Sequence, residues 1–280
     1  MSFTTKGERL KSAQYNTKPS PMANILKSQH QNCRGLPVEF SETEKNIFYF
    51  IFENKLTSVS PQRLSATILA AKYVIDNEIE GDFVECGVWR GGNSLAAKMV
   101  FEAYGSSKQV YLFDTFTGMA PPTDADLNHR GEPEKGFWKG GRDLPEGANP
   151  NIAWRYKNNK LQPWAYASLS DVMHVFHGTI KNNKQVHFQK GRVEETLQDK
   201  NNLPKAISAL RLDTDFYEST KVEMEILYPM LSLGGVLMID DYGHWQGAKK
   251  AVDEFFKNPN NKRPFFQVTD YTQRTAIKIT

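Results

Sequence analysis

The sequence predicts an α/β fold: a mostly parallel sheet with helices on both faces and an antiparallel hairpin at the C-terminus. Three observations predict it. Short apolar runs alternate with segments of helical periodicity. Each run ends in an acidic residue or a glycine. The last two β-rich runs are separated only by the polar stretch Asp270-Tyr-Thr-Gln-Arg274, which reads as a hairpin turn.

The elements follow in order. Residues 41–54 carry a dense apolar stripe (Ile47, Phe48, Phe50, Ile51) behind an acidic start, which predicts a short helix. Ser60-Pro61 reads as a helix N-cap with proline at the first helical position. Leu64, Ile68, Ala71 and Ile75 then recur at helical spacing to about residue 77. Strands are predicted over 82–87, 109–114, 186–191, 209–213 and 235–241, and helices over 93–104, 168–180, 193–197 and 219–231. Residues 265–269 and 275–280 supply the hairpin.

Two segments lie outside this pattern. The first 40 residues hold six Lys and Arg against two acidic residues and form a basic arm, while residues 41–280 read as a single domain. Residues 118–165 hold six of the 14 prolines, six of the 19 glycines and three of the five tryptophans. That tryptophan content argues against disorder and predicts a lid-like insertion over the ligand side.

Composition narrows the function. With 39% hydrophobic and 24% charged residues in 280, the chain can bury a core, so wholesale disorder is excluded. No apolar run spans a bilayer and no leader-like segment opens the chain, so a cytoplasmic protein is expected. Cys33 and Cys86 cannot build a disulfide framework or a cysteine zinc site. The net charge of +3 resides in the arm, which leaves the body without a basic surface suited to nucleic acid. The helix over 41–54 is a candidate interface for a homo-oligomer; burial inside one protomer explains its apolar face equally well.

Chemistry concentrates at four strand ends. Phe83-Val-Glu-Cys-Gly-Val-Trp-Arg-Gly-Gly-Asn-Ser94 runs from a strand through a glycine-bearing turn into a helix start, where free N–H donors face a ligand. The same glycines would also serve a plain tight turn. Asp114, at the end of the second strand, is placed to accept hydrogen bonds from ribose hydroxyls. The turn lacks the G-x-G-x-x-G pattern, so a nucleoside cofactor without a diphosphate fits better than a dinucleotide.

Asp213 and Asp215 end the fourth strand and Asp240 and Asp241 the fifth, with one helix between them. Adjacent strands would bring these carboxylates together, where they repel unless a proton or cation relieves them. An all-oxygen set suits Mg²⁺, Mn²⁺ or Ca²⁺. The alternative is that these acids cap helices or pair with Arg211 and Lys249. His244 follows as a base, a sugar contact or a surface residue. His129, His174, His177 and His187 show no common ligand spacing. Trp89, Trp138 and Trp154 are candidates for stacking on a sugar or adenine, or for packing.

With these motifs the chain resembles the macrocin O-methyltransferase (TylF-type) family of S-adenosylmethionine-dependent enzymes. The matching text is Ser60-Pro-Gln-Arg-Leu64, Gly81-Asp-Phe-Val-Glu-Cys-Gly-Val-Trp-Arg-Gly-Gly92, Leu112-Phe-Asp-Thr-Phe-Thr-Gly118, Val186-His-Phe-Gln-Lys-Gly-Arg-Val-Glu-Glu-Thr-Leu197, Leu210-Arg-Leu-Asp-Thr-Asp-Phe-Tyr-Glu-Ser-Thr220 and Gly234-Gly-Val-Leu-Met-Ile-Asp-Asp-Tyr242. These blocks cover about residues 56–256, in order, and leave the arm and most of the insertion uncovered.

The resemblance implies a Rossmann-like class I methyltransferase fold, S-adenosylmethionine and Mg²⁺ as cofactors, and a sugar hydroxyl of a glycosylated metabolite or polysaccharide precursor as acceptor. It implies that Glu85, Gly87, Val88 and Ser94 line the cofactor's amino-acid end, that Asp114 holds its ribose, and that Gly191 and Arg192 lie near its adenine. Asp213, Asp240 and Asp241 would bind the metal, and Asp213, ahead of Asp215, would take the acceptor's proton. Family members often follow the paired aspartates with Tyr-His; here Gly243 stands between Tyr242 and His244. A vicinal phenolic diol as acceptor, or an NAD-dependent oxidoreductase, is the competing reading.

Overall fold

The computed structural model describes residues 35–133, 152–157 and 160–280. Most of the basic arm and the middle of the insertion, Trp138 included, lie outside the described residues.

Helix α1 (Glu42–Glu53) starts on Ser41, which forms a capping box with Glu44. Helix α2 (Pro61–Asp76) starts on Ser60, with Pro61 in its first turn. Ile47, Phe48 and Ile51 of α1 are buried in the main core of the same chain, so burial inside one protomer accounts for them.

The central elements alternate as the periodicity predicts. In chain order they are β1 (Asp82–Cys86), α3 (Gly92–Ala103), β2 (Val110–Asp114), β3 (Trp154–Lys157), β4 (Lys160–Pro163), α4 (Leu169–Thr179), β5 (Val186–Lys190), α5 (Val193–Thr196), β6 (Ile207–Leu212), α6 (Tyr217–Met230), β7 (Leu231–Ile239), α7 (Gln246–Phe255), β8 (Gln267–Val268) and β9 (Arg274–Ile277). A seven-stranded sheet runs β5-β2-β1-β6-β7-β9-β8. Its first five strands are parallel, while β9 pairs antiparallel with β7 and with β8.

Successive strand residues feed opposite faces. Phe83, Leu112, Ala209 and Met238 join the cluster that holds α1 to α4. Val84, Phe113, Leu210 and Leu237 join the cluster under α6 and α7. All six residues of β6 are buried, as a central strand covered on both sides requires.

Three features differ from the expectation. Strand β6 starts at Ile207 and β7 at Leu231, because a register shift after Ile207 lets Ile207 pair with Leu231 while Ala209 pairs with Val236, so that Gly234 and Gly235 lie within β7. Helix α7 has no side-chain cap at Trp245 to announce it, and forms because Gly247, Ala248, Ala251 and Val252 bury one face. The insertion contains a hairpin of its own, β3–β4.

That insertion is pinned to the C-terminal half. Asp126 is buried and accepts from Tyr217 N at 2.8 Å, at the start of α6. Asn128 bridges to Trp245, and Met119 and Trp164 pack on Phe216, Trp245 and Ala248. Among the described residues no helix is long and apolar enough to cross a membrane.

Candidate active site

The strand order reverses between the neighbouring parallel strands β1 and β6: from β1 the sheet grows outward through β2 and β5, then restarts on the other side. The carboxyl ends of strands at such a point form a crevice. A cleft of about 800 Å³ opens there, lined by Gly87, Asp114, Gly191, Arg192, Asp213, Asp215, Asp240, Asp241 and His244 among others. Nine of the expected site residues therefore meet in one cavity.

Glu85, Val88 and Ser94 do not line it. All three are buried, and Glu85 Oε2 accepts from both the backbone N–H and the hydroxyl of Ser94. This pair clamps the end of β1 to the first turn of α3. Gly87 has φ 78°, and a Cβ there would sit 2.0 Å from the Asp213 carbonyl oxygen. The glycine is required by the close approach of β6's end to the turn.

Asp114 is already engaged by the turn. Its Oδ2 accepts from Val88 N at 2.8 Å and Trp89 N at 3.1 Å, and its Oδ1 accepts from Phe116 N at 2.7 Å. Burial pushes its pKa up and these backbone donors pull it back. A carboxylate has about four acceptor positions, and the Thr115 hydroxyl, at 3.5 Å the longest of the set, takes the fourth. Arg192 pairs with Glu194 at 2.9 Å at the rim.

The acidic ends converge as their strand order requires. Asp213, Asp215 and Asp241 each offer a carboxylate oxygen within 4.8 Å of the others. Two ligands of one Mg²⁺ or Ca²⁺ ion can be no farther apart than about twice 2.1–2.4 Å, so this set fits such an ion. Asp241 Oδ2 is buried without a hydrogen-bond partner among the described residues, an acceptor that a cation would satisfy.

Asp240 is placed differently from the expected ligand set. Its Oδ1 accepts from Arg211 Nη2 and its Oδ2 from Arg63 Nη1, so two guanidiniums hold it while Asp215 completes the cluster. The pairing of strand-end acids with Arg211, the alternative to a metal, thus occurs at Asp240 and also at Asp213, a member of the cluster. Lys249 instead pairs with Asp253.

Burial, then the neighbouring acids, push Asp213 and Asp241 well above the usual carboxylate range, with Arg211 opposing the rise at Asp213 and Arg63 that at Asp241. Burial raises Asp215 to about 7. Asp215 also has φ 69°, a left-handed conformation that short polar side chains tolerate and that clusters at functional sites.

Sequence reasoning did not assign Arg63, Asp126, His129, Glu223 or Tyr271 to the site. A charged residue in the apolar run Leu210-Arg-Leu was the readable sign of Arg211's burial. His129 and Tyr271 had none: the Tyr271 hydroxyl hydrogen-bonds His244 Nδ1 and lies 3.1 Å from His129 Nδ1, joining three distant segments at the cleft mouth.

A Rossmann-like sheet with a glycine turn and acidic strand ends around one crevice defines a class I methyltransferase. The particular family follows from comparison: the model of the macrocin-O-methyltransferase (TylF) family matches residues 27–139 and 142–273, and the chain belongs to that family. The match includes the end of the arm and most of the insertion. The chain is 30% identical over 207 residues to demethyldecarbamoylnovobiocin O-methyltransferase of Streptomyces niveus, covering 72% of this chain and 68% of that protein. It is 32% identical over 201 residues to the 8-demethyl-8-(2,3-dimethoxy-alpha-L-rhamnosyl)-tetracenomycin-C 4′-O-methyltransferase of Streptomyces olivaceus, covering 71% and 67%. The solved O-methyltransferase NovP has the same fold, with a TM-score of 0.62 at 22% identity over 92% of this chain and 97% of that one. The protein is an S-adenosylmethionine-dependent O-methyltransferase, which removes the oxidoreductase reading.

Proposed function

We propose that the protein methylates a sugar hydroxyl of a glycosylated metabolite, with a divalent cation, Mg²⁺ in the first instance, at Asp213, Asp215 and Asp241. The observation that carries this is the three-carboxylate cluster at the floor of the donor cleft. The relatives are named for methylating demethyldecarbamoylnovobiocin, a rhamnosyl tetracenomycin at 4′-O and mycinamicin III at 3″-O, which supports a glycoside acceptor.

The sulfonium methyl is an activated electrophile, so the protein's task is to present an oxygen nucleophile in line with the S–CH₃ bond. A bound cation would lower the pKa of neighbouring sugar hydroxyls chelated to it. Asp215 is the better base of the two candidates: Asp213 Oδ2 is held by Arg211 Nη1 at 2.6 Å, whereas among the described residues no arginine pairs with Asp215. Trp164, Phe216 and Trp245 on the acceptor side supply apolar faces for a sugar ring.

An acceptor screen tests the reading: deoxyhexose conjugates against catechols, each with S-adenosylmethionine and with or without EDTA, following S-adenosylhomocysteine release. Glycosides methylated in an EDTA-sensitive way are expected. Turnover of catechols alone would replace the sugar acceptor by a phenolic diol.

A further inference from the structure

Arg211 is fully buried in the middle of the sheet, at the point where the two halves of the cleft meet. Its Nη1 donates to Glu85 Oε1 at 2.8 Å and to Asp213 Oδ2 at 2.6 Å, and its Nη2 donates to Asp240 Oδ1. Strand register explains the reach: Glu85 of β1 is paired with Arg211, and Arg211 with Met238 of β7, two residues before Asp240. Glu85 and Asp240 share no contact; each meets Arg211 and then its own second partner, Ser94 or Arg63.

We propose that Arg211 is a positioning residue that couples the methyl-donor turn to the acidic acceptor side, so that a change at Asp240 is felt in donor affinity. The inference rests on the donor-site reading of the Gly87 turn.

The physical route is short. A planar guanidinium can serve several carboxylates at once, and in a low-dielectric interior its charge is shared among them. Asp240 also holds Arg63; once neutral it keeps one carbonyl oxygen for two guanidiniums and no charge, which weakens its hold on Arg211. The guanidinium then settles toward Glu85 and Asp213. Glu85 Oε2 anchors Ser94 N at 2.9 Å, and the whole turn from Gly87 to Gly91 is strung between Glu85 and Ser94. A shift of Glu85 therefore moves the turn that faces the donor. Lysine cannot substitute, because one ammonium on a flexible stem has no fork with which to bridge three carboxylates.

The test is S-adenosylhomocysteine binding by calorimetry, with the fold of each variant checked by thermal unfolding. In the wild-type background Asp240→Asn is expected to change the dissociation constant about fivefold or more. Asp253→Asn, whose carboxylate pairs with Lys249, Tyr242 and Arg263 rather than with Arg211's partners, is expected to leave it unchanged. In an Arg211→Lys background Asp240→Asn is expected to add nothing further. An Asp240→Asn effect that is absent, or equal in both backgrounds, overturns the coupling. If Arg211→Lys does not fold, the Glu85→Gln and Asp240→Asn cycle decides: non-additive effects on binding support the coupling, and additive ones overturn it. Wild-type protein that binds no S-adenosylhomocysteine would overturn the donor-site reading itself, and the coupling with it.

Discussion

Gly243 lies directly against Tyr271: a Cβ at Gly243 would sit 2.2 Å from the Tyr271 carbonyl oxygen and 3.0 Å from that of Thr272. Its N–H also donates to Thr272 O at 2.8 Å. The residue that separates Tyr242 from His244 is thus the contact point between the acidic loop and the turn before β9. From that contact Tyr271 reaches His244, and its hydroxyl also lies 3.1 Å from Nδ1 of the insertion's His129.

Gly243→Ala should therefore destabilise the protein by about 1–3 kcal/mol, the usual cost of forcing a methyl into a filled site, because the obstructing atoms are backbone and cannot rotate away. Thermal unfolding reads this directly. Methyl transfer should fall as well, since Asp240 and Asp241 precede the displaced residue. An alanine variant with wild-type melting temperature and turnover would show that the two turns are not locked together.

Asp126 makes a second such link. Helix α6 has no side-chain cap from Phe216, and Asp126 Oδ1 takes that place at Tyr217 N, while Oδ2 accepts from Thr123 N and Oγ1 at 2.7 Å each. Asp126→Ala should cost about 1–2 kcal/mol, as loss of a helix cap does. Because Asp215 lies two residues before α6, kcat should fall more than the KM for S-adenosylmethionine rises. An unchanged unfolding midpoint would mean that the insertion does not anchor this helix.

Glu223 of α6 is buried behind the acidic loop, accepting from Thr214 Oγ1 at 2.8 Å, with Oε2 unpartnered among the described residues. Burial raises its pKa from 4.5 to about 8, so the native protein holds it neutral at pH 7. The folded value exceeds the unfolded one, so its contribution to stability is complete below about 4.5 and is lost as pH rises toward 8. Glu223→Gln removes that loss. Its stability relative to wild type should climb across pH 5–8, by up to roughly 1 kcal/mol per pH unit. Urea unfolding at several pH values measures the gap; a gap that does not change with pH would mean that Glu223 is ionised when folded.

How much of this was readable before folding depends on the range of the interaction. The capped start at Ser60 and the alternation of strands and helices rest on local chemistry, and the structure has them at those positions. The convergence of Asp213, Asp215 and Asp241 was also legible, because one crossover helix between two strand ends makes them neighbours. Choosing Asp240 or Asp215 as the cluster's third member was not. That depends on Arg63, 177 positions away, reaching Asp240. Helix α7 and the Tyr271 contacts escaped for the same reason: each is stabilised by a partner that only the closed fold supplies.

The cation itself leaves a signature that does not depend on turnover. Asp215 and Asp241 bring carboxylate oxygens within 4.8 Å of each other, and Asp241 Oδ2 is buried without a partner among the described residues. An ion that binds the folded cluster but not the unfolded chain must raise the melting temperature in proportion to the logarithm of its concentration above the dissociation constant. Added Mg²⁺ should therefore stabilise the wild-type protein, and EDTA should reverse the effect and abolish methyl transfer. Asp241→Asn should lose both responses while still binding S-adenosylhomocysteine, because Asp241 touches neither Glu85 nor Arg211. Equal Mg²⁺ stabilisation of wild type and Asp241→Asn would mean that the ion binds elsewhere, and turnover at full rate in EDTA would remove the metal from the chemistry.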